Sequence, residues 1–386
     1  MRVKKIGLCV ATLAMPLSAV ASDLNGSFSG MSNAAYATGN YSEGVLLNPS
    51  LGAAYNPEKD DFALVLGLGA LVSDQSDMLS QADDITSIFD DIDNSGEISS
   101  EQADELLPLL EDIDGDYASV DVGANIVLSI PNHFASVALI AKSTAAISVQ
   151  ANVSDDDLDL IADYADGVLP GEDFDEDDLT STIRGHGAIV TDVGVSISKA
   201  FQLQDGSNVL VGATPKKTEV ESIIYSAQVA NFDEDDFDAD EYTRKDSATN
   251  LDLGVTYIRN KMHYALVANN LMSNSFETII PNEKIEIERQ LVAATGYVSG
   301  NFKAEFALDL NAVQAIGRNA ETQIMRAGVE YSPWDLLRLR AGMQNDLEGT
   351  LEDTVSLGLG LGVFNLTYIH GSDNTEGVAL SGGLRF

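Results

Sequence analysis

Apolar residues alternate with small or charged residues along much of the chain. The last ten residues, "GVALSGGLRF", place Val378, Leu380, Leu384 and Phe386 on one side, opposite glycine, alanine, serine and arginine. The segments "NLDLGVTY", "NFKAEFALDL", "LRLRAGM" and "TVSLGLGL" repeat the same pattern. A period of two is that of a β-strand whose two faces meet different surroundings. The chain is therefore predicted to be mostly β-sheet with one apolar face.

Fourteen such strands are predicted, and the lengths of their connections alternate. The predicted strands are residues 61–72, 117–130, 134–150, 188–201, 208–227, 248–258, 262–270, 286–299, 301–311, 321–332, 336–343, 354–362, 363–370 and 377–386. If consecutive strands run antiparallel, the short connections, such as "PNH" and "RNK", all lie at one rim and the long ones at the other. Short turns at one rim and long loops at the other are typical of outer-membrane barrels.

We therefore predict an all-β fold: a transmembrane, up-and-down outer-membrane β-barrel of about 14 antiparallel strands over residues 61–386, with an N-terminal plug and acidic, partly helical external loops. A closed barrel crosses lipid because it leaves no unpaired backbone edge. Its apolar face would contact outer-membrane lipid. The terminal Phe386 is the predicted assembly signal, read by the barrel assembly machinery. The predicted location is the outer membrane of a Gram-negative bacterium.

The first 21 residues have the features of a secretory signal peptide. A basic start with Arg2, Lys4 and Lys5 precedes a short apolar centre and the small-residue sequence Ala19-Val20-Ala21. Cleavage there would start the mature chain at Ser22. It would also remove Cys9, the single cysteine of the sequence. The mature chain is therefore predicted to contain no disulfide and no reactive thiol.

The chain is strongly acidic, with 61 acidic and 21 basic residues and a net charge of −40. This balance argues against nucleic acid as a partner, because binding to phosphates needs basic side chains. Three long connections, residues 73–116, 151–187 and 228–247, hold 35 of the 61 carboxylates. We interpret them as solvated external loops.

Charged residues of the predicted strands fall on the face opposite the apolar one and should line the barrel lumen. The predicted lumen residues are Lys303, Glu305, Asp309, Arg326, Glu330, Arg338, Arg340 and Arg385. Two interpretations remain open. The charges either pair with one another for structural reasons or form a polar path for transport.

Residues 22–60 precede the first strand and have little strand pattern. They are rich in glycine, alanine, serine and asparagine, and they contain the turn sequences Asn48-Pro49 and Asn56-Pro57. Small residues suit a segment that packs inside a narrow lumen. We predict a plug that turns at Asn48 and Pro49. The alternative is an irregular periplasmic extension.

The stretch "SGMSNAAYATGNYSEGVLLNPS" resembles the N-terminal plug of the FadL-like outer-membrane transporters. Within that group, the chain resembles the plasmid-transfer TraF-like family of secreted bacterial proteins. This likeness rests on the same stretch, on "DDFALVLGLGALVSD" with the acidic loop after it, and on "YSPWDLLRLRAGMQND". The resemblance implies a barrel with the plug folded inside its lumen, and a role as a plugged channel.

The stretch "DIDNSGEISSEQ" nearly matches an EF-hand calcium loop. Its candidate ligands are Asp91, Asp93, Ser95 and Glu97. The bidentate glutamate of a true EF-hand is replaced by Gln102, so only weak Ca²⁺ binding is predicted. The alternative is a plain acidic helical hairpin, since apolar residues at helical spacing flank the stretch. No other cofactor is predicted.

An enzyme is not predicted. The four histidines, His133, His186, His263 and His370, are scattered, and none accompanies a nucleophile motif. Two functions remain. One is a plugged channel for small solutes, hydrophobic ones among them. The other is a surface interaction or assembly protein, linked to conjugation or envelope systems, whose acidic loops bind a partner.

Overall fold

A computed structural model describes residues 24–58, 60–171, 174–175, 178–228, 242–315 and 320–386. Two predicted features fall partly or wholly outside this range. The predicted signal peptide, residues 1–21, lies outside the described residues, and so does most of the predicted loop 228–247.

Fourteen antiparallel strands close into a barrel, which confirms the predicted fold class. Each wall strand pairs with its neighbours along the chain, and β1 pairs with β18 to close the ring. The wall strands are β1 (Ala63–Asp74), β2 (Tyr117–Ile130), β3 (Ser136–Asn152), β4 (Thr182–Gln202), β5 (Asn208–Gln228), β6 (Thr243–Arg259), β7 (Met262–Asn269), β10 (Gln290–Ser299), β11 (Phe302–Asp309), β14 (Ile324–Trp334), β15 (Leu337–Asp346), β16 (Thr354–Leu361), β17 (Phe364–Gly371) and β18 (Glu376–Arg385).

Two short hairpins lie beyond the wall strands. They are β8 (Asn274–Glu277) with β9 (Lys284–Ile287), and β12 (Val313–Gln314) with β13 (Glu321–Thr322). The strands β8 and β12 fall where the sequence predicts loops, and β9 and β13 overlap the starts of the predicted strands 286–299 and 321–332. Phe276 and Ile287 of the first hairpin pack against Val190 and Val220. These two residues belong to the inner faces of β4 and β5, so this hairpin folds into the mouth of the barrel.

The outer surface of the barrel carries the apolar face of the alternating pattern. Leu66, Leu68 and Leu357 are more than half exposed there. Large aromatic side chains are exposed near the short turns, and they include Phe134, Trp334, Phe364 and Phe386. An apolar band with an aromatic girdle is what contact with lipid and its interface selects.

The chain terminus closes the seam between the first and last strands. The Phe386 amide donates to the Phe62 carbonyl at 2.9 Å, and the Phe62 amide donates to the Phe386 carbonyl at 3.1 Å. Their rings lie 6.1 Å apart. The aromatic terminus therefore continues the ladder that begins with Ala63 paired to Arg385.

Three helices stand beyond the rim of long loops: α1 (Met78–Ser95), α2 (Ser100–Ile113) and α3 (Asp155–Ala165). We call them, with their joining segments, the helical cap. Their apolar faces share a core that includes Ile85, Phe89, Leu106, Ile161 and Tyr164. The core rests on Ala118 and Ala151, near the ends of β2 and β3. None of the helices in the described ranges is both long and apolar enough to cross a membrane.

The lumen plug as the candidate functional site

Residues 24–53, which we call the plug, run through the barrel lumen. All of them are buried apart from Asn33, Gly39 and Asn40, which are partly buried. The regular structure of the plug consists of three 3-10 turns, Ser29–Met31, Gly44–Leu46 and Pro49–Ala53. The first turn lies against β14 to β17, and the last lies against β3 to β6. Residues 24–53 of the predicted segment 22–60 therefore lie inside the barrel, whereas Ala54 and residues 56–58 are exposed.

Asn48 and Pro49 form the turn that the sequence predicts. The Asn48 side chain accepts a hydrogen bond from the Ser50 amide at 3.0 Å and so caps the third 3-10 turn, with Pro49 in its first position. The Asn48 Nδ2 group also donates to the Tyr36 carbonyl at 2.7 Å and to Thr256 Oγ1 of β6 at 2.9 Å. One side chain thus ties two parts of the plug to the wall.

Glu305 of β11 accepts three hydrogen bonds from the plug. Its carboxylate accepts from the Ala37 amide at 2.9 Å, from the Thr38 amide at 2.7 Å and from Thr38 Oγ1 at 2.7 Å. The Glu305 side chain is buried. A buried carboxylate is costly unless donors surround it, and here the plug supplies them. His263 adds a contact of 3.1 Å between its Nδ1 and the Ala37 carbonyl.

Glycines of the wall allow the plug backbone to come close. A Cβ atom on Gly254 would lie 2.0 Å from Asn48 Oδ1. A Cβ atom on Gly342 would lie 2.3 Å from the carbonyl carbon of Met31. Any side chain at these two positions would push the plug away from the wall. Glycine on the inner face of the strands therefore leaves the space that the plug backbone occupies at these two contacts.

The other predicted lumen charges also lie on the inner face, and most are paired. Arg326 contacts Asp309 at 2.7 Å, and Arg340 contacts Glu330 at 2.7 Å. The remaining contacts are Lys303 with Glu330 at 3.2 Å, Arg385 with Glu43 of the plug at 2.9 Å, and Arg338 with the Gly362 carbonyl. The arrangement fits structural pairing, with Arg385 as a second charged tie between wall and plug.

A buried ionic cluster on the opposite wall escaped the sequence reasoning. Lys216 Nζ lies 2.9 Å from Asp192 and 3.0 Å from Asp252, and Thr218 Oγ1 donates to Asp192 at 2.5 Å. All four residues point inward from β4, β5 and β6. The sequence does predict an inward-facing aspartate here, because Asp252 in "NLDLGV" lies on the small-residue face. The sequence alone does not show that its partner is Lys216.

The predicted calcium loop does not form. Helix α1 continues through Ser95, so Asp91 and Asp93 lie on a helix instead of a ligand loop. Gln102, at the position of the missing glutamate, instead completes a capping box with Ser99 at the start of α2. Within the described ranges, no three Asp, Glu, His or Cys side chains are grouped so as to hold a metal. The acidic helical hairpin is the structure observed, and weak Ca²⁺ binding stays a prediction.

The four histidines occupy separate places, as the sequence suggests. His133 lies in the turn between β2 and β3, and His263 contacts the plug. Near the loop rim, His186 lies 3.4 Å from Glu283 and His370 lies 4.0 Å from Glu376. These positions do not bring two histidines together.

A closed barrel of fourteen strands with a plug folded into its lumen defines the class: the fold of the FadL-like outer-membrane channels. The chain belongs to the family described as "F plasmid transfer operon, TraF, protein", whose sequence profile matches residues 45–309. Both findings confirm the resemblance that the sequence indicates. A search of curated proteins gives no match.

Three solved structures show the same fold at low sequence identity. The toluene transporter TbuX of Ralstonia pickettii has a TM-score of 0.50 and 9% identity, covering 92% of this chain and 98% of its own. The toluene transporter TodX of P. putida has a TM-score of 0.50 and 10% sequence identity, and the match covers 95% of this chain and 99% of TodX. A FadL homologue of Pseudomonas aeruginosa has a TM-score of 0.50 and 10% sequence identity, and the match covers 93% of this chain and 97% of the homologue.

Proposed function

We propose that the protein is a plugged channel of the Gram-negative outer membrane that passes small solutes. One observation carries the proposal: a whole N-terminal segment is buried in the lumen, yet side chains hold it there instead of strand pairing. The wall strands satisfy their backbone hydrogen bonds with one another. The plug also packs apolar residues such as Phe28 and Leu47 against the wall, but it takes no part in the strand ladder, so it can move without unfolding the wall.

The position of the charged ties supports a plug that can shift. Glu305 and Arg385 hold the plug from two different strands, β11 and β18. Each tie is a discrete hydrogen-bonded contact, so loss of one weakens the plug without removing it. The likeness to structures described as toluene transporters fits a channel, and we carry over from it only the plugged architecture.

Recordings in planar bilayers test the proposal. The purified full-length barrel should show small and brief conductance steps, because the plug occupies the lumen. Glu305→Gln should lengthen these steps, while Glu101→Gln, an exposed cap residue, should leave them unchanged. If folded barrels of both the wild-type protein and Glu305→Gln conduct no ions, the channel proposal is wrong.

The helical cap favours a second function, the binding of a surface partner. The three helices share an apolar core, and most of their carboxylates, apart from the buried Asp157, are exposed. Replacement of residues 75–116 by a short glycine-serine linker should then leave conductance intact and abolish a contact-dependent process such as conjugal transfer. Unchanged transfer frequency would speak against this second function.

A further inference from the structure

The hairpin β8–β9 rests on the inner wall at the outer end of the lumen. Phe276 and Ile287 bury their side chains against Val190 of β4 and Val220 of β5, and Phe276 is only 3% exposed. The two strands of the hairpin form a sheet of their own, separate from the closed barrel. Because the wall ladder is complete without it, the hairpin can lift without breaking a wall strand away from its neighbours.

Charged residues also hold the hairpin, but from its solvent side. Arg244 of β6 contacts Glu277 at 2.7 Å, and both side chains are about half exposed. Glu283 lies 3.4 Å from His186 of β4. Ion pairs in contact with water stabilise a structure only weakly, because solvent screens them. The apolar contact of Phe276 is therefore the part of the hold that a single substitution can test.

The hairpin is one of three loops that bond to one another and to the wall. The hydrogen bonds between them run from the Glu286 amide to the Gln314 side chain at 3.1 Å, from the Leu347 amide to the Gln323 carbonyl at 2.8 Å, and from Ser73 Oγ of β1 to the Glu352 carboxylate at 3.2 Å. The hairpins β8–β9 and β12–β13 and the loop 347–353 thus form one layer, which we call the lid. It extends from β4 and β5 to β1.

A cavity of about 320 Å³ lies between the lid and the plug. Its lining includes Tyr36 of the plug, Gln314 of the lid and Thr144 of β3. Thr144 pairs across the ladder with Val190, on which Phe276 rests. The hairpin therefore lies at the edge of the cavity, and the lid and the plug bound the same space from opposite ends.

We infer that the lid is a second closure of the lumen, separate from the plug, and that the hairpin β8–β9 is its moving part. The inference goes beyond the proposed function, which requires only the plug to move. A solute from outside enters the cavity while the hairpin is lifted, and it leaves toward the periplasm when the plug shifts. Since the two barriers lie in series, opening both increases passage more than opening either one.

The reactivity of a cysteine in the cavity tests the lid without any need for conduction. Thr144→Cys is made in the full-length protein, and its reaction with a charged thiol reagent is followed in detergent by mass spectrometry. Glu101→Cys, at an exposed position of the cap, gives the rate of an open site. We expect the cavity cysteine to react far more slowly. Adding Phe276→Asp should speed its reaction about tenfold or more, because a buried ring is replaced by a charge that water solvates.

Two further variants control for the added charge. Ser275→Asp places the same charge at the exposed neighbouring position of β8 and should leave the rate at the cavity cysteine unchanged. Phe276→Ala removes the ring without adding a charge and should have an intermediate effect. The lid would be overturned by a rate that ignores both changes at Phe276. It would also be overturned if the cavity cysteine reacts as fast as Glu101→Cys in the otherwise unchanged protein.

Recordings in planar bilayers then test whether the lid and the plug act in series. Phe276→Asp should raise conductance more in the Glu305→Gln background than in the wild-type background. If the cysteine shows that the hairpin lifts but the conductance of Glu305→Gln stays the same, the lid lies off the conducting path and the series arrangement is wrong. If no variant conducts while the cysteine responds as expected, the channel proposal fails and the lid is supported as the cover of the cavity.

Discussion

The plug and the helical cap are both attached to the same barrel, but they are built in opposite ways. The regular structure of the plug is limited to three short 3-10 turns. Many of its buried polar atoms form hydrogen bonds with wall residues that are more than 200 positions away in the sequence. The cap consists of amphipathic helices that bury their own apolar faces. Local sequence therefore specifies the cap, whereas the plug takes its shape from the lumen around it. Damage to the wall should affect the plug first, and damage to the cap should stay within the cap.

The largest effect is expected from the seam of the wall, since both regions depend on it. Deletion of Phe386 removes the backbone hydrogen bonds that it exchanges with Phe62. Most of the heat-modifiable barrel should be lost from the outer-membrane fraction, as judged by migration of unheated samples on gels. Deletion of Gly349 in an exposed loop is the control and should leave assembly intact. Equal assembly of both variants would show that the terminal residue is no assembly signal.

The next effect is release of the plug by loss of one charge. Glu305→Gln leaves at most one of the two accepting oxygens, and hydrogen bonds to charged groups contribute about 1.5–3 kcal/mol each. Because 1.4 kcal/mol is a factor of ten, the open fraction in bilayer recordings should rise about tenfold or more. Protease accessibility of the cap should not change. A variant that opens the cap but not the channel would contradict the separation of the two regions.

A smaller effect on the plug is expected from added volume at the wall. Gly254→Ala places a methyl group against Asn48 Oδ1, and overpacking of this kind costs typically 1–3 kcal/mol. Conductance steps should become longer than in the wild-type protein. Gly382→Ala is the matched control, because its nearest neighbours are ring atoms of Phe364 at 3.6 and 3.7 Å, an ordinary contact. Equal behaviour of the two variants would mean that the plug does not approach Gly254 closely.

The smallest effect on the whole molecule should come from a change inside the cap. Asp157 of α3 accepts hydrogen bonds from the Thr180 amide at 2.9 Å and the Ser181 amide at 2.6 Å. Asp157→Asn should expose residues 151–187 to external protease on intact cells, with no change in heat-modifiability or conductance. Asp159→Asn, an exposed neighbour on the same helix, should behave as wild type. Cleavage near the turn at residues 131–135 instead would mean that the barrel is inserted in the opposite orientation.

The same carboxylate predicts a pH dependence confined to the cap. Burial acts to raise the pKa of Asp157, but the hydrogen bonds from Ser181 and Thr180 outweigh it and hold the pKa below its usual value. A lowered folded-state pKa stabilises the cap above the unfolded pKa, near 4, and this stabilisation is lost as the pH falls through the folded value. Hydrogen exchange in α3 should therefore speed up in acid more in the wild-type protein than in Asp157→Asn, after correction for intrinsic rates.

Particular elements show how much of the fold could be predicted from the sequence. The predicted strand 117–130 coincides with β2, because its alternation is regular and clear turns bound it. The strands β4 and β5 are recognised, but β4 begins at Thr182 instead of residue 188. Its first residues continue the wall toward the helical cap, where the surroundings no longer demand a strict alternation. The strands β8 and β12 were not predicted, and β9 and β13 were joined to the wall strands that follow them, because each of the four has only two to four residues.

The lumen site divides in the same way. Glu305, Arg326 and Arg340 could be assigned to the inner face from the period of two alone, because the alternation fixes the face of a side chain whatever it contacts. The partners could not be predicted, because Glu305 meets the Ala37 amide across a separation of 268 residues. A backbone amide also carries no side-chain signature that a sequence pattern could reveal. The plug was located by composition and resemblance, and its contacts became visible only with the lumen around it.

Removal of the plug tests the central claim most directly: that this segment fills a lumen whose wall folds without it. The variant lacks residues 22–60 and keeps residues 1–21, and its conductance in a planar bilayer is compared with that of the intact protein. We predict a heat-modifiable barrel with larger and steadier conductance, because wall strands bond to one another and the emptied lumen presents charged and polar side chains to water. Unchanged conductance from a folded variant would place the segment outside the conducting path, and failure of the barrel to assemble would make the segment part of the wall.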